Sequence, residues 1–358
     1  MQFLIVSTSD ALIALEDRWN ELVARSPDSS VFQTYTWLAT WWRFFGQDRA
    51  LRVILAEDDG KLFGLLPVYI ERSHLLPVIG LRKLRLIGYG GDTAPDDLGP
   101  ILDGDHRQAA LDALIEGLES LRPEWDIAEF DDLDPKSPLI EAMQTLRPGE
   151  VDLAEGASIS YVDLPETFDE YLAELSSNRR WKIRRGRKKL LESTGYRCHV
   201  VASKAELDRH YPDLVRLHKD RWETRAEDIG FSTEGYVEFH RSVMADMLEQ
   251  DCLRLMLLIS DDGAIAANYC YRWRGNFYFF QGGFAKAYEP YRIGEVLMGH
   301  AIEQAIAEGM QVFDMLRGEH DYKKSLTDKV RTRTHLYLNQ PTLRTRSYRA
   351  LRACYRTM

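Results

Sequence analysis

Seven consecutive residues, Arg317-Gly318-Glu319-His320-Asp321-Tyr322-Lys323, gather carboxylates, an imidazole, a phenol, a guanidinium and an ammonium. Such a set can move protons, and a histidine's ordinary pKa near neutrality makes His320 a rival to Glu319 as a base. The same residues also suit a solvated charged loop whose ion pairs contribute little. In Gln281-Gly282-Gly283 two glycines interrupt a β-prone run. They cost packing and backbone entropy, which predicts a β-bulge or the close approach of another group. Tyr291-Arg292-Ile293-Gly294 opens a helical spacing. A helix start offers unpaired N–H groups to an anion, although capping alone also accounts for it.

Arg179–Lys189 carries eight Lys or Arg in eleven residues, over a narrow apolar stripe of Ile183, Gly186 and Leu190. Clustered cations repel one another unless an anion meets them. Three partners suit them: the acidic first half of the chain, an anionic membrane or polyanionic acceptor, or solvent. Residues 1–178 hold 14 Lys+Arg against 33 Asp+Glu, and the remainder holds 32 against 23, so a net charge of −10 hides two halves of opposite sign. Trp181 is the one aromatic residue inside the basic run, which argues against specific nucleic-acid binding. The four cysteines show no C-x-x-C pairing and the nine histidines no metal-ligand spacing, so buried, reduced thiols and no metal are expected. With no apolar run of spanning length and no signal-like start, the chain reads as cytoplasmic.

The elements that must position these groups are legible from spacing. Cys252–Ser260, Ala264–Trp273 and Asn276–Phe284 read as strands joined by turns at Asp261-Asp262-Gly263 and Arg274-Gly275. Ile293, Val296, Leu297, Ala301 and Ala305 share a helical face closed by Gly309, and Val312–Leu316 is a further strand. A similar order occurs earlier: strands Leu51–Ala56 and Leu62–Ile70 about Asp58-Asp59-Gly60, short β segments Leu84–Ile87 and Leu98–Leu102, a helix near His106–Leu121, then Trp125–Phe130. Two copies of one α/β unit are expected, with the boundary after a strand at Ser158–Val162. The expected division is 1–163, 164–340 with a basic helix at 178–193, and an arginine-rich helix at 341–358. Helices are also expected at Lys204–Arg225 and Thr233–Gln250. Trp37, Leu38, Trp41, Trp42 and Phe45 share a helical face that suits packing on a sheet better than a carbohydrate platform.

The β-β-β-α-β order, with NFYFFQGGF at Asn276–Phe284, YEPYRIGEVL at Tyr288–Leu297 and FDMLRGEHDYK at Phe313–Lys323, resembles the GNAT acyltransferase superfamily. Together with WLATWWRFFG at Trp37–Gly46, LIGYGGDTAPDDLGP at Leu86–Pro100 and the basic helix, it resembles the bacterial GNAT type linked to cellulose and exopolysaccharide biosynthesis. The layout is similar to that of the Fem-type aminoacyltransferases, which carry two GNAT-like domains. The resemblance implies an α/β (α+β) fold of tandem GNAT-like domains, with mixed, mostly antiparallel sheets flanked by helices.

It also implies roles. An acyl-CoA, such as acetyl-CoA, would lie against Gln281, Gly282 and Gly283, with a backbone N–H there polarising the thioester carbonyl. Its phosphates would meet Arg292, Ile293 and Gly294, although Tyr291 and Val296 depart from the usual phosphate motif and Glu295 adds a negative charge. Glu319 or His320 would be the base and Tyr322 the acid for the departing thiolate. Arg317, Lys323, Arg221, His218 and Asp97 would face the acceptor, a polysaccharide or a nucleotide- or lipid-linked sugar. The expected function is transfer of an acyl group to an amine or hydroxyl of such a sugar, at the inner face of the cytoplasmic membrane. The alternatives are a Fem-type transferase using aminoacyl-tRNA to extend a peptidoglycan precursor, and a non-catalytic scaffold of a polysaccharide-synthesis complex.

Overall fold

The computed structural model describes residues 1–76, 79–91, 93, 95–222, 231–318 and 321–348. The chain forms two compact units, Met1–Ala157 with Thr332–Met358, and Ser158–Arg331. In the first unit, β1 (Gln2–Val6) is followed by α1 (Ser9–Ile13), α2 (Glu16–Arg25) and α3 (Tyr35–Phe45). Then come β2 (Ala50–Asp58), β3 (Lys61–Leu76), β4 (Ile79–Leu86), β5 (Ile101–Leu102), α4 (Arg107–Ser120), β6 (Ile127–Leu133) and α5 (Pro138–Leu146). Strand β7 (Val151–Asp163) carries the chain into the second unit. There α6 (Phe168–Glu174), α7 (Ser177–Thr194), β8 (Arg197–Val200), α8 (Lys204–Trp222) and α9 (Glu234–Glu249) precede the strands β9 (Leu253–Ser260), β10 (Gly263–Trp273) and β11 (Asn276–Phe284). The unit ends with α10 (Ile293–Ala307), β12 (Val312–Arg317) and α11 (Asp321–Lys324), and β13 (Val330–Asn339) returns the chain to the first unit.

Each unit repeats one pattern. In the first, β1, β2, β3 and β4 pair antiparallel in turn, and β6 joins β4 in parallel after the crossover helix α4. In the second, β8, β9, β10 and β11 do the same, and β12 joins β11 in parallel after α10. The expected hairpins arise as their turn residues require: Asp59 and Gly60, and Arg274 and Gly275, adopt the positive φ of tight two-residue turns. Strand Asn276–Phe284 falls where it was expected, and α10 starts at Ile293 after a short 3₁₀ turn through Pro290. Of the expected strand at Leu98–Leu102, only Ile101–Leu102 forms. Residues 343–348 are helical, and the rest of the arginine-rich tail lies outside the described residues.

The charge asymmetry is milder in these units than in the halves. The first holds 20 Lys+Arg against 28 Asp+Glu and the second 26 against 28. The arginine-rich tail belongs to the acidic unit, and Asp163 of β7 and the acidic residues of α6 belong to the unit of the basic helix α7. Within that unit Arg179 pairs with Asp328, Arg184 with Asp169, Arg187 with Glu303 and Lys188 with Glu192. Cys252 and Cys270 are buried, but Cys198 stands exposed on β8, where a buried thiol was expected.

Helix α10 packs on the sheet through Val296, Ala301 and Ile302 and on α7 through Leu190, Ile183 and Gly186. Next to that seam His300 Nε2 lies 2.9 Å from the Tyr196 hydroxyl. Burial, reinforced by the Arg187 charge, lowers the His300 pKa from 6.5 to about 4. A depressed folded pKa means that the unfolded chain takes up the proton first as pH falls. His300 therefore contributes stability above pH 6.5 that is lost between pH 6.5 and 4, on the order of 3 kcal/mol for the full shift. His300→Gln should flatten that part of the stability–pH curve in chemical denaturation, and an unchanged slope would contradict this reading.

Candidate active site

The site lies where β11 and β12 part. Their parallel ladder covers three positions, Asn276–Val312, Phe277–Phe313 and Tyr278–Asp314, and then ends. Beyond it β12 bends: Leu316 has a φ of +53°, and the register of β12 against β7 shifts between Asp314 and Arg317. Two buried charges hold the bend. The Asp314 carboxylate accepts the Leu316 N–H at 2.7 Å and pairs with Arg331. The Lys323 ammonium, 2% exposed, donates to the carbonyls of Met315, Leu316 and Arg317 at 2.7, 3.0 and 2.6 Å. Through these three bonds to the backbone, the buried Lys323 fixes the strand end.

On the other side, β11 is shaped by a bulge. Tyr269 faces Gln281 but Cys270 faces Phe279, so Phe280 is the extra residue. The glycines that follow serve close packing: a Cβ on Gly283 would strike the backbone of α8 at Leu217 and His218, and one on Gly282 would strike Asn268. Gln281 turns away from the parting, its side-chain amide donating to the Tyr236 hydroxyl at 2.8 Å. His218 is buried at the Gly283 contact, with its ring edge-on to Phe231 at 5.1 Å. One turn along α8, Arg221 donates to the Gly282 carbonyl at 3.2 Å and lies over the rings of Phe284 and Tyr322 at 5.2 and 4.9 Å.

The parting opens into a cavity of about 290 Å³. Phe279, Phe284, Leu297 and Met298 make its apolar wall, and Arg221, Asn268 and Tyr322 supply its polar groups. At its rim, the first turn of α10 contributes Arg292, Ile293 and Gly294. Among the described residues neither the Ile293 nor the Gly294 N–H has a partner, as a helix start allows. Gly294 keeps this turn against Phe284, whose ring would lie 3.1 Å from an added Cβ. Glu289 and Glu295 also line the rim. Arg292, in the left-handed conformation, clasps Glu295 through Nε at 2.9 Å and through a second guanidinium nitrogen.

Burial pushes the Tyr322 phenol above its usual 10, and the charge and hydrogen bond of Arg221 act against that push. Tyr322 thus stays protonated at neutral pH. A guanidinium only donates, so the Tyr322 oxygen is the acceptor of its hydrogen bond with Arg221.

Of the other expected site residues, Arg317 ends β12 opposite Ile159. Asp97 belongs to the first unit, where it pairs with Arg333, itself 2% exposed. Glu319 and His320, the expected bases, lie outside the described residues, as does Asp92 of the Gly/Asp loop. Trp37, Trp41 and Trp42 are buried, with Trp41 Nε1 donating to Thr93 at 2.7 Å, so that helix packs in the core as expected. Sequence reasoning missed Asn268, buried opposite Gly282, and the apolar wall, because strand residues of this kind read as ordinary core.

Residues 177–324 match the family described as Acetyltransferase (GNAT) domain, and that segment holds every residue of the cavity. No curated protein matches the chain. Among solved structures, FemX is 12% identical with a TM-score of 0.61 over 95% of this chain and 98% of that one. A conserved protein of unknown function from Bacteroides thetaiotaomicron VPI-5482 is 13% identical, with a TM-score of 0.59 over 94% and 100%. L-PGS from Bacillus licheniformis is 15% identical, with a TM-score of 0.55 over 95% and 96%. At these identities the likeness is one of fold: mixed α/β, GNAT-like, with mostly antiparallel pairing flanked by helices. No helix of the described residues is long and apolar enough to cross a membrane.

Lys323→Met keeps the aliphatic stem and removes the three hydrogen bonds. It should destabilise the protein by about 3 kcal/mol, the scale of breaking a buried charged contact. Equilibrium urea unfolding checks this, and a change below about 0.5 kcal/mol would show that the ammonium does not hold the strand end.

Proposed function

We propose that the protein is an acyltransferase that moves an acyl group from acyl-CoA to an amine or hydroxyl of a sugar unit in an envelope or extracellular polysaccharide. The observation that carries this reading is the parting of β11 and β12 into a cavity with Arg221 and Tyr322 at its polar end. A cavity with one apolar wall beside a strand edge suits an acyl-thioester arm, and the Ile293 and Gly294 N–H groups, unpartnered among the described residues, suit the phosphates that follow it. Glu295 opposes them, but its pairing with Arg292 neutralises much of its charge. When bound, the thioester supplies an activated acyl carbon and a thiolate leaving group.

The chain's own groups divide the remaining work. Tyr322 keeps its proton at neutral pH and gives it to the departing sulfur. Arg221 orients the phenol and ties it to β11 through the Gly282 carbonyl. The acceptor must lose a proton, because an alkylammonium with a pKa near 10.4 is not nucleophilic; Glu319 or His320 takes that role in this proposal. The sugar acceptor is supported by the likeness of the sequence words to the exopolysaccharide-linked type. As part of the same proposal, the outward face of α7, with Trp181 and Leu191 exposed among Arg184, Arg185 and Lys188, meets an anionic membrane at the cytoplasmic side.

The basic helix α7 and the departure of Tyr291 and Val296 from the usual phosphate motif suit a second reading, in which the donor is an aminoacyl-tRNA. Thermal shift separates the two. Acetyl-CoA or a longer acyl-CoA at a hundredfold excess over Kd should add about 2.7 kcal/mol of stability. Tyr322→Phe should keep that shift while lowering acyl transfer by about 10²-fold or more. A flat response to acyl-CoAs, with transfer dependent on tRNA, would overturn the first reading.

A further inference from the structure

A second cavity, of about 280 Å³, opens beside the first and shares Glu295 with it. The start of α7 lines it with Ser176, Arg179 and Lys182, and the segment after Tyr322 adds Lys324 and Ser325. Three cations and two hydroxyls, from two separate stretches of chain, therefore face one space.

Two carboxylates at this place, Glu295 and Asp328, are already matched. Arg292 clasps Glu295, and Arg179 holds Asp328 through two bonds of 2.8 Å. Lys182 is half-buried next to the buried Ile183, and among the described residues no carboxylate lies within ion-pair distance of its ammonium. A half-buried cation without a counter-charge carries a desolvation cost that an incoming anion relieves. The geometry suits a phosphate better than a carboxylate, because donors converge from several directions and a phosphate presents three acceptor oxygens to them.

We infer that this cavity is a phosphate-binding subsite, which takes the phosphorylated end of a donor whose reactive end occupies the first cavity. The donor's identity as acyl-CoA rests on the reading above; the anion site itself rests on the cavity and its cations. It lies at α7, next to the α10 turn, with Glu295 lining both cavities.

Calorimetric titration of the full chain with adenosine 3′,5′-bisphosphate and with inorganic pyrophosphate tests the inference. Lys182→Ala and Lys324→Ala should each weaken binding about tenfold, the effect of losing one charge-assisted hydrogen bond. Lys188→Ala, on the exposed face of the same helix, should leave it unchanged, and unliganded melting confirms that each variant folds. Lysine-dependent pyrophosphate binding without any acetyl-CoA stabilisation would uphold the subsite and refute the acyl-CoA reading. Acetyl-CoA stabilisation that is indifferent to Lys182 and Lys324 would refute the subsite alone. An equal loss in Lys188→Ala would also overturn it, since the helix would then act only through its overall charge.

Discussion

The second unit turns on one buried ammonium. Lys323 gathers the carbonyls of Met315, Leu316 and Arg317 at the point where β12 leaves its ladder with β11. A strand end inside a sheet normally satisfies its backbone by pairing further, and an unpaired buried carbonyl is costly. By meeting that need with a side chain, the protein lets the two strands separate without leaving polar groups bare. The Asp314 carboxylate does the complementary task for the Leu316 N–H. The cavity is the space this arrangement leaves.

What lines the cavity follows from its two walls. The bulge at Phe280 and the glycines after it bring α8 against β11, which carries Arg221 to the Gly282 carbonyl and over Tyr322. The α10 turn reaches the other wall because Arg292 adopts a left-handed conformation and Gly294 fits against Phe284. Tyr322 directly precedes the lysine that holds the strand end. The acid and its support are therefore neighbours in sequence, so a change that loosens the bend also displaces the phenol.

Much of the fold was legible because its signals are local. Turn pairs such as Asp59-Gly60 and Arg274-Gly275, the 3.6-residue spacing from Ile293 and the β-prone run Asn276–Phe284 each mark one element. The repeated order of strands then exposes the two copies. The site was legible in part. Arg221, Tyr322, Arg292, Ile293 and Gly294 do line one cavity. That the Lys323 ammonium meets three backbone carbonyls was not legible, because a seven-residue word does not say which side chain a bend in the strand will engage. The second cavity was unreadable for a related reason: its cations come from α7 and α11, and only the fold brings them to one space.

Hydrogen exchange with and without acetyl-CoA bears most directly on the claim that the strand parting is the donor site. The account predicts added protection in peptides covering Phe279–Phe284 of β11 and Ile293–Gly294 of α10, with β9 unchanged. Unaltered exchange at those two places under saturating acetyl-CoA, or protection confined to the first unit, would contradict it.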